Sequence, residues 1–203
     1  MYSIIGAGIA GLSCSISLTE KNIAHEIFDK YSKNSPKAYG IQISPNASNI
    51  LRKLGVLEKI IPLMHKIETI KLISAKDEKL LTSLPIGKFS RERYHSDYYT
   101  ADRNILHESL RNLAEENKTP IKYNSEITST CVSEENVSIS INKNITHLTN
   151  TIILSSGINS QSLYPDTKKI LRKKSKFRAF RATLNNNKIA LKLERDTVNV
   201  WLG

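Results

Sequence analysis

Six residues near the start of the chain, Gly6-Ala7-Gly8-Ile9-Ala10-Gly11, have the types and spacing to hold a phosphorylated ligand by the backbone. In a G-x-G-x-x-G run the first glycine permits a tight strand-to-helix turn. The second has no Cβ to keep a diphosphate off the main chain, and the third lets the helix lie close to the sheet. A helix opening there aims free N–H groups and a partial positive charge at anionic oxygens. Asp29 follows 18 positions after Gly11, where a carboxylate accepts hydrogen bonds from ribose hydroxyls, and Lys30 beside it is a companion candidate. An acid at that place disfavours a 2′-phosphate, so an FAD-like or NAD-like adenosine is expected over an NADP-like one. Glu26 is the rival acid, but it lies inside a strand rather than at its end.

The elements needed to position these residues are present in order. Tyr2 to Ile5 reads as a short buried strand, Ile9 to Thr19 as a small-residue helix, and Ala24 to Phe28 as a second strand. That βαβ context separates the motif from a glycine-rich turn that binds nothing. Further on, Ser44 suits an N-cap, Pro45 the first helical position and Gly55 a helix stop. Ala47, Ile50, Leu51 and Leu54 recur at helical spacing and predict one apolar face. Lys66 to Ser74 and Leu80 to Ile86 are predicted strands joined by the turn 75–79. A helix is predicted over Asp102 to Asn117, with Leu106, Leu110 and Leu113 on its buried face. Strands follow at Ile121 to Tyr123, Ile127 to Ser133, Val137 to Ile141 and Thr151 to Leu154, the last running into Ser155-Ser156-Gly157. Alternating elements that give way to a meander suit an α/β nucleotide domain with a β-rich insertion.

Composition bounds the reading. The 203 residues carry a formal net charge of +11, which keeps nucleic acid and anionic membrane surfaces open as partners. Lys168, Lys169, Arg172, Lys173, Lys174, Lys176, Arg178 and Arg181, with Phe177 and Phe180 interleaved, form the densest basic stretch. A solvated connection is favoured there over a binding surface, and of the two surfaces a membrane over nucleic acid. Cys14 and Cys131 offer no metal spacing and no disulfide framework; Cys14 is expected as a small core residue. A strand beginning at residue 2 leaves no room for a signal peptide, and no apolar run is long enough to span a bilayer. A cytoplasmic setting, with peripheral membrane contact at most, is the expectation. His25, His65, His95, His107 and His147 are scattered and are expected to be surface or hydrogen-bonded residues rather than catalytic ones.

Taken in order, these segments resemble the single-component FAD-dependent aromatic hydroxylases, the group that includes para-hydroxybenzoate, salicylate and ubiquinone-biosynthesis hydroxylases. Ile4 to Asp29 is similar to the FAD-binding βαβ unit of that family. Gly40-Ile41-Gln42-Ile43-Ser44-Pro45-Asn46-Ala47 through Leu54-Gly55 resembles its G-x-x-(L/I)-x-P-N segment. Arg103-Asn104-Ile105-Leu106 looks like the helix whose arginine lies against the flavin, and Phe180-Arg181-Ala182-Thr183 like a strand opening the later substrate sheet. The resemblance implies FAD as cofactor, NAD(P)H and O2 as co-substrates, and a small aromatic or quinone-type substrate. The flavin then supplies the chemistry and the protein positions the substrate. It adds Arg103, Gln42, Ser156 and Gly157 to the cofactor-side candidates, and names no catalytic or metal residue. A solvated helix-start residue is the plain alternative for Arg103.

Two departures qualify this. The second family motif, (A)-D-G-x-x-S-x-x-R, here keeps Gly157 and Ser160, but Ser156 replaces the aspartate and Leu163 the arginine. Losing a charge-assisted hydrogen bond costs about 1.5–3 kcal/mol. The third motif, a Gly-Asp pair, is not present before Gly203. The expected layout is therefore a truncated Rossmann-like FAD-binding domain with a β-rich substrate-domain insertion. Residues 1–65 and 100–165 form the FAD-binding part, 66–99 the substrate-domain strands, and 166–203 the incomplete start of the substrate sheet. Such an N-terminal portion is expected to bind FAD weakly, not to turn over alone, and to need a C-terminal complementing chain. The alternatives are another FAD- or NAD-dependent oxidoreductase, or a non-catalytic basic binding module.

Overall fold

The computed structural model describes residues 1–33, 39–157, 163, 180 and 194–203. The chain forms two compact units, Met1–Pro36 with His107–Ala179, and Lys37–Leu106 with Phe180–Gly203.

In the first unit, strands β1 (Tyr2–Ile5) and β2 (His25–Phe28) are joined by helix α1 (Ile9–Glu20). They pair in parallel and are flanked by β8 (Ile121–Lys122) and β12 (Thr151–Leu154), giving the order β12-β1-β2-β8. Parallel strands covered on both faces read as apolar runs, and Ile4, Ile5, Ile27 and Phe28 are all buried. The helix turns Gly11, Leu12, Ser15 and Ile16 inward. An antiparallel meander follows, β9 (Ile127–Val132), β10 (Val137–Ile141) and β11 (Ile145–Thr149). Its alternating Val137, Ile139 and Ile141 point into one core with Ile5, Phe28, Ile127 and Leu163.

The same unit buries a carboxylate between β1 and β2. Ser3 and Glu26 are register partners on β1 and β2. Glu26 is 4% exposed; it accepts the Ser3 hydroxyl at 3.3 Å and lies 2.7 Å from Lys122 Nζ and 2.5 Å from His147 Nε2. The rival ribose acid is thus committed inside the fold. Burial pushes its carboxyl up, but the hydrogen bond and charge of Lys122 and the charge of His147 hold it below the usual carboxylate range.

In the second unit, β3 (Gly40–Ile43), β4 (His65–Lys66) and β7 (Tyr99–Asp102) form one antiparallel sheet. A second sheet has the order β13-β5-β6, from β5 (Thr69–Ser74), β6 (Leu80–Leu84) and β13 (Thr197–Leu202). The predicted strand Lys66 to Ser74 is therefore two strands in two sheets. The chain changes sheet where the N–H of Ile67 goes to the Tyr98 carbonyl and that of Glu68 to the Asp196 carbonyl. Ile86, expected to end a strand, instead begins helix α4 (Ile86–Tyr94). Residues 197–202, expected only within the incomplete sheet of 166–203, form a strand that pairs in parallel with β5.

Helix α2 (Pro45–Lys53) has Ser44 as N-cap residue and Pro45 in its first turn as expected, although the Ser44 side chain bonds Asn46 Oδ1 rather than a backbone amide. Its C-terminus is a Schellman turn: Gly55 N–H reaches the Arg52 carbonyl and Val56 N–H the Leu51 carbonyl, with Gly55 at φ +71°. The expected apolar face needs correction. Ile50 is 53% exposed, and the buried row is Pro45, Ser48 and Leu51, continued by Leu54. Ser48 is admitted because its hydroxyl donates to the Asp97 carbonyl. A short helix α3 (Leu57–Ile60) follows.

Helix α5 (Arg103–Glu116) begins where the Asp102 side chain accepts the Asn104 N–H at 2.7 Å, an N-cap bond. Its deepest residues are Leu106, Leu110 and Ala114, while Leu113 is half-buried. Cys14 is also half-buried rather than core, with burial pushing its thiol up, and Cys131 is exposed.

Candidate dinucleotide site

The parallel sheet does the first positioning. Ile5 is register partner of both Phe28 and Leu154, each the last residue of its strand. The next residues, Gly6, Asp29 and Ser155, therefore emerge side by side at the carboxyl edge of β1, β2 and β12. That edge is where open α/β sheets bind ligands. Backbone bonds extend the ladder one step further: Gly6 N–H to Phe28 O at 2.7 Å and Ser155 N–H to Ile5 O at 2.9 Å.

The three glycines then divide their work. Gly6 has φ +107°, and a Cβ there would lie 2.8 Å from the Ser155 carbonyl oxygen. A Cβ on Gly11 would run into the Gly6 carbonyl oxygen and come within 2.7 Å of Ser155 Oγ. Both glycines are therefore packing requirements, tied to Ser155, whose hydroxyl reaches the carbonyls of Ile5 and Gly6 at 2.9 and 3.0 Å. Gly8 differs: among the described residues, a Cβ there would meet nothing within 4 Å. Gly8 is the N-cap position of α1, and the first turn holds no acidic residue to compete for its amides. Those first N–H groups have no intrahelical partner.

Asp29 is only 6% exposed. Its Oδ2 accepts the Ala7 N–H at 2.6 Å and its Oδ1 the Tyr31 N–H at 2.8 Å. The carboxylate thus braces the glycine turn, and each oxygen keeps a second lone pair able to accept a further hydrogen bond. Lys30 is exposed, with its ammonium 5.0 Å from the Tyr31 ring centre. Ser156 is half-buried, and its hydroxyl is a buried atom without a hydrogen-bond partner among the described residues. Gly157 follows at φ +73°. Gly6, Ala7, Gly8, Ile9, Ala10, Gly11, Asp29, Ser155 and Ser156 are thus brought to one end of one sheet.

The two departures from the second motif behave differently. Leu163, where the family carries arginine, is 4% exposed within the core of Ile5, Phe28 and Ile139. Ser160 lies outside the described residues, as do Arg181-Ala182-Thr183 and the basic stretch 168–178. Phe180 is described and is 91% exposed.

Gln42 and Arg103 belong to the second unit. Gln42 is exposed on β3, its Oε1 accepting the Tyr98 hydroxyl at 2.8 Å; burial pushes the Tyr98 phenol up, so it stays a donor. Arg103 opens α5 with its N–H on the Tyr39 carbonyl. The residue is half-buried, and its guanidinium forms no ion pair among the described residues.

The histidines separate into bystanders and one residue that matters. His65 and His95 are exposed. His25 donates from Nδ1 to Ile23 O and meets Ser15 Oγ through Nε2; His147 belongs to the Glu26 cluster. His107 is different. It is 8% exposed, and its Nε2 donates to the Ala7 carbonyl at 2.7 Å, inside the glycine turn. Its sequence signal is faint: it lies four positions after Arg103, on the same helical face. No group of three or more metal-ligating side chains occurs among the described residues, and no helix among them is long and apolar enough to cross a membrane.

The open face at Gly8, the uncapped amides of α1, the brace at Asp29 and the unpartnered Ser156 hydroxyl fit a dinucleotide lying across the strand ends. The first unit is thus an α/β dinucleotide-binding domain. Residues 2–152 match the family described as "FAD binding domain", and the chain belongs to that family. It is similar to 3-amino-4-hydroxybenzoate 2-monooxygenase PtmB3 of Streptomyces platensis, with 35% identity over 114 residues, 55% of this chain and 28% of the relative. It is also similar to 3-hydroxybenzoate 6-hydroxylase of Polaromonas naphthalenivorans, with 26% identity over 113 residues, 56% of this chain and 28% of the relative. The matches thus span little more than a quarter of these relatives' length. Among solved structures, CtdE in complex with FAD and a substrate shares the fold at a TM-score of 0.67 and 21% identity, over 77% of this chain and 37% of that one. A 2-methyl-3-hydroxypyridine-5-carboxylic acid oxygenase shares it at 0.63 and 20%, over 74% and 38%.

Proposed function

We propose that this chain is the FAD-holding part of a monooxygenase that hydroxylates a small aromatic or quinone-type ring at the expense of NAD(P)H and O2. The observation that carries this is the alignment of Gly6, Asp29 and Ser155 at one strand edge beside the open Gly8 face. Bound FAD supplies the redox chemistry. The residues of this chain do the holding. Gly8, Ile9 and Ala10 present amides to the diphosphate, Asp29 offers its remaining lone pairs to the ribose, and Ser156 and Gly157 line the strand edge beside them. Lys30 adds positive charge near the phosphates, and Arg103 and Gln42 serve the flavin end. Ser156 in place of an acid and Leu163 in place of an arginine weaken that grip, by roughly ten- to a hundredfold for each charge-assisted bond lost.

The names of the relatives support a ring-bearing acid as substrate. Turnover is proposed to require the further length of polypeptide that those relatives carry, in this chain or in a complementing one. Cytoplasmic operation, with peripheral contact to an anionic membrane through the basic stretch, belongs to the same proposal.

An FAD titration of the purified chain, followed by quenching of flavin fluorescence, tests it. Saturable binding in the micromolar range is expected. No binding by a chain shown to be folded by circular dichroism would defeat the proposal.

A further inference from the structure

We infer that His107 is a positioning residue for the diphosphate-binding turn, acting through the Ala7–Gly8 peptide; the inference rests on the FAD-holding reading above.

The argument starts from peptide planarity. The Ala7 carbonyl and the Gly8 N–H lie in one rigid peptide plane and point in opposite directions within it. A group that holds the carbonyl therefore also aims the amide. His107 Nε2 holds that carbonyl at 2.7 Å from a position 8% exposed. A carbonyl only accepts, so Nε2 carries the hydrogen. The preceding plane, Gly6 C=O with Ala7 N–H, is held separately, its amide by Asp29 Oδ2 at 2.6 Å and its carbonyl by Ser155 Oγ at 3.0 Å. Both planes around Ala7 are thus fixed, each by residues remote in sequence.

The second plane is the one that matters for a ligand. Gly8 is the residue with open space where a Cβ would stand, so its amide is the one a diphosphate approaches. Glycine tolerates either sign of φ and gives a peptide beside it freedom to reorient. Among the described residues, it is His107 that holds the Ala7 carbonyl. Without that bond, the Gly8 amide would sample orientations that face away from the ligand, and binding would carry the cost of reordering it.

The test is a pair of ligands on three variants of the full chain. FAD carries the diphosphate and adenosine does not; both affinities are read by NMR chemical-shift titration, with flavin fluorescence as a second readout for FAD. His107→Leu removes the donor and keeps bulk. His107→Gln places an amide Nε2 donor at similar reach. We expect His107→Leu to bind FAD about tenfold more weakly, with adenosine affinity unchanged within twofold, and His107→Gln to recover FAD affinity to within threefold of wild type. If His107→Leu does not fold, His107→Gln against His107→Asn asks the same question, because the two amides differ by one methylene of reach. Equal loss of FAD and adenosine affinity, or a glutamine variant as weak as leucine, would reduce His107 to a packing residue and overturn the inference. Failure of wild type to bind FAD would instead remove the reading on which it rests.

Discussion

Two alanine substitutions in one six-residue motif should have opposite consequences. In Gly11→Ala the new methyl meets the Gly6 carbonyl oxygen and Ser155 Oγ. Neither can yield freely: Gly6 is backbone held to Phe28, and Ser155 is anchored to Ile5. Helix α1 must move off the strand edge. Forcing a methyl into such a contact costs about 1–3 kcal/mol, and the backbone obstacle puts it in the upper half of that range. At about 2–4 °C per kcal/mol for a chain of this size, thermal unfolding should fall by roughly 4–12 °C. In Gly8→Ala the methyl meets nothing within 4 Å, and φ −79° with ψ −176° is backbone that alanine adopts without strain. Stability should hold or rise slightly, because alanine restricts the unfolded chain by about 0.4–1 kcal/mol. FAD affinity should nevertheless drop, since the methyl stands between the diphosphate and its amides. One lost charge-assisted bond is worth about 1.5–3 kcal/mol, roughly ten- to a hundredfold in affinity. Differential scanning fluorimetry and flavin-quenching titrations on the same preparations read both quantities. A Gly8→Ala chain that melts as early as Gly11→Ala, or binds FAD like wild type, would refute the division of labour among the glycines.

The Glu26 cluster predicts an acid-dependent stability. Its folded carboxyl is held below the ordinary value of about 4.3. The stabilisation is therefore present above that pH and is lost as pH falls through the lower folded value. Urea unfolding should place wild type above Glu26→Gln by about 1.5–3 kcal/mol near neutrality, with the gap closing below pH 4; a gap constant down to pH 3 would remove the charge from the explanation. Gly55→Ala tests the Schellman turn: a Cβ there meets nothing within 4 Å, so only the left-handed φ of +71° is penalised. The expected loss is about 1–2 kcal/mol by urea denaturation, and no loss would mean that the helix end rearranges.

What the sequence discloses follows from what is local. The βαβ unit, the Gly55 helix stop and the alternation in β10 are legible because glycine conformation and apolar period act over a few residues. Ile50 misleads because its spacing fits the apolar face, whereas a serine hydroxyl bonded to the Asp97 carbonyl is what the fold buries instead. Helix α4 and strand β13 are missed because neither carries a clean period. Gly87 is required there by the side chain of Glu68 alongside it, and β13 is defined by pairing with β5, more than a hundred positions away.

The same distinction applies to the site and limits what a motif match can mean. Gly6 to Gly11 is contiguous, but its shape is enforced from afar: Asp29 lies 22 positions from Ala7, His107 lies 100 from Ala7, and Ser155 lies 149 from Gly6. Each contributes a contact that the motif cannot make for itself. A peptide holding only the βαβ unit would keep the glycines and lose both the Ser155 wedge and the His107 hold. Dinucleotide affinity should therefore track completion of the four-stranded sheet through β12 rather than presence of the motif. By that criterion Ser155, which the ordinary reading of G-x-G-x-x-G leaves out, belongs to the proposed cofactor site as much as the glycine it packs against.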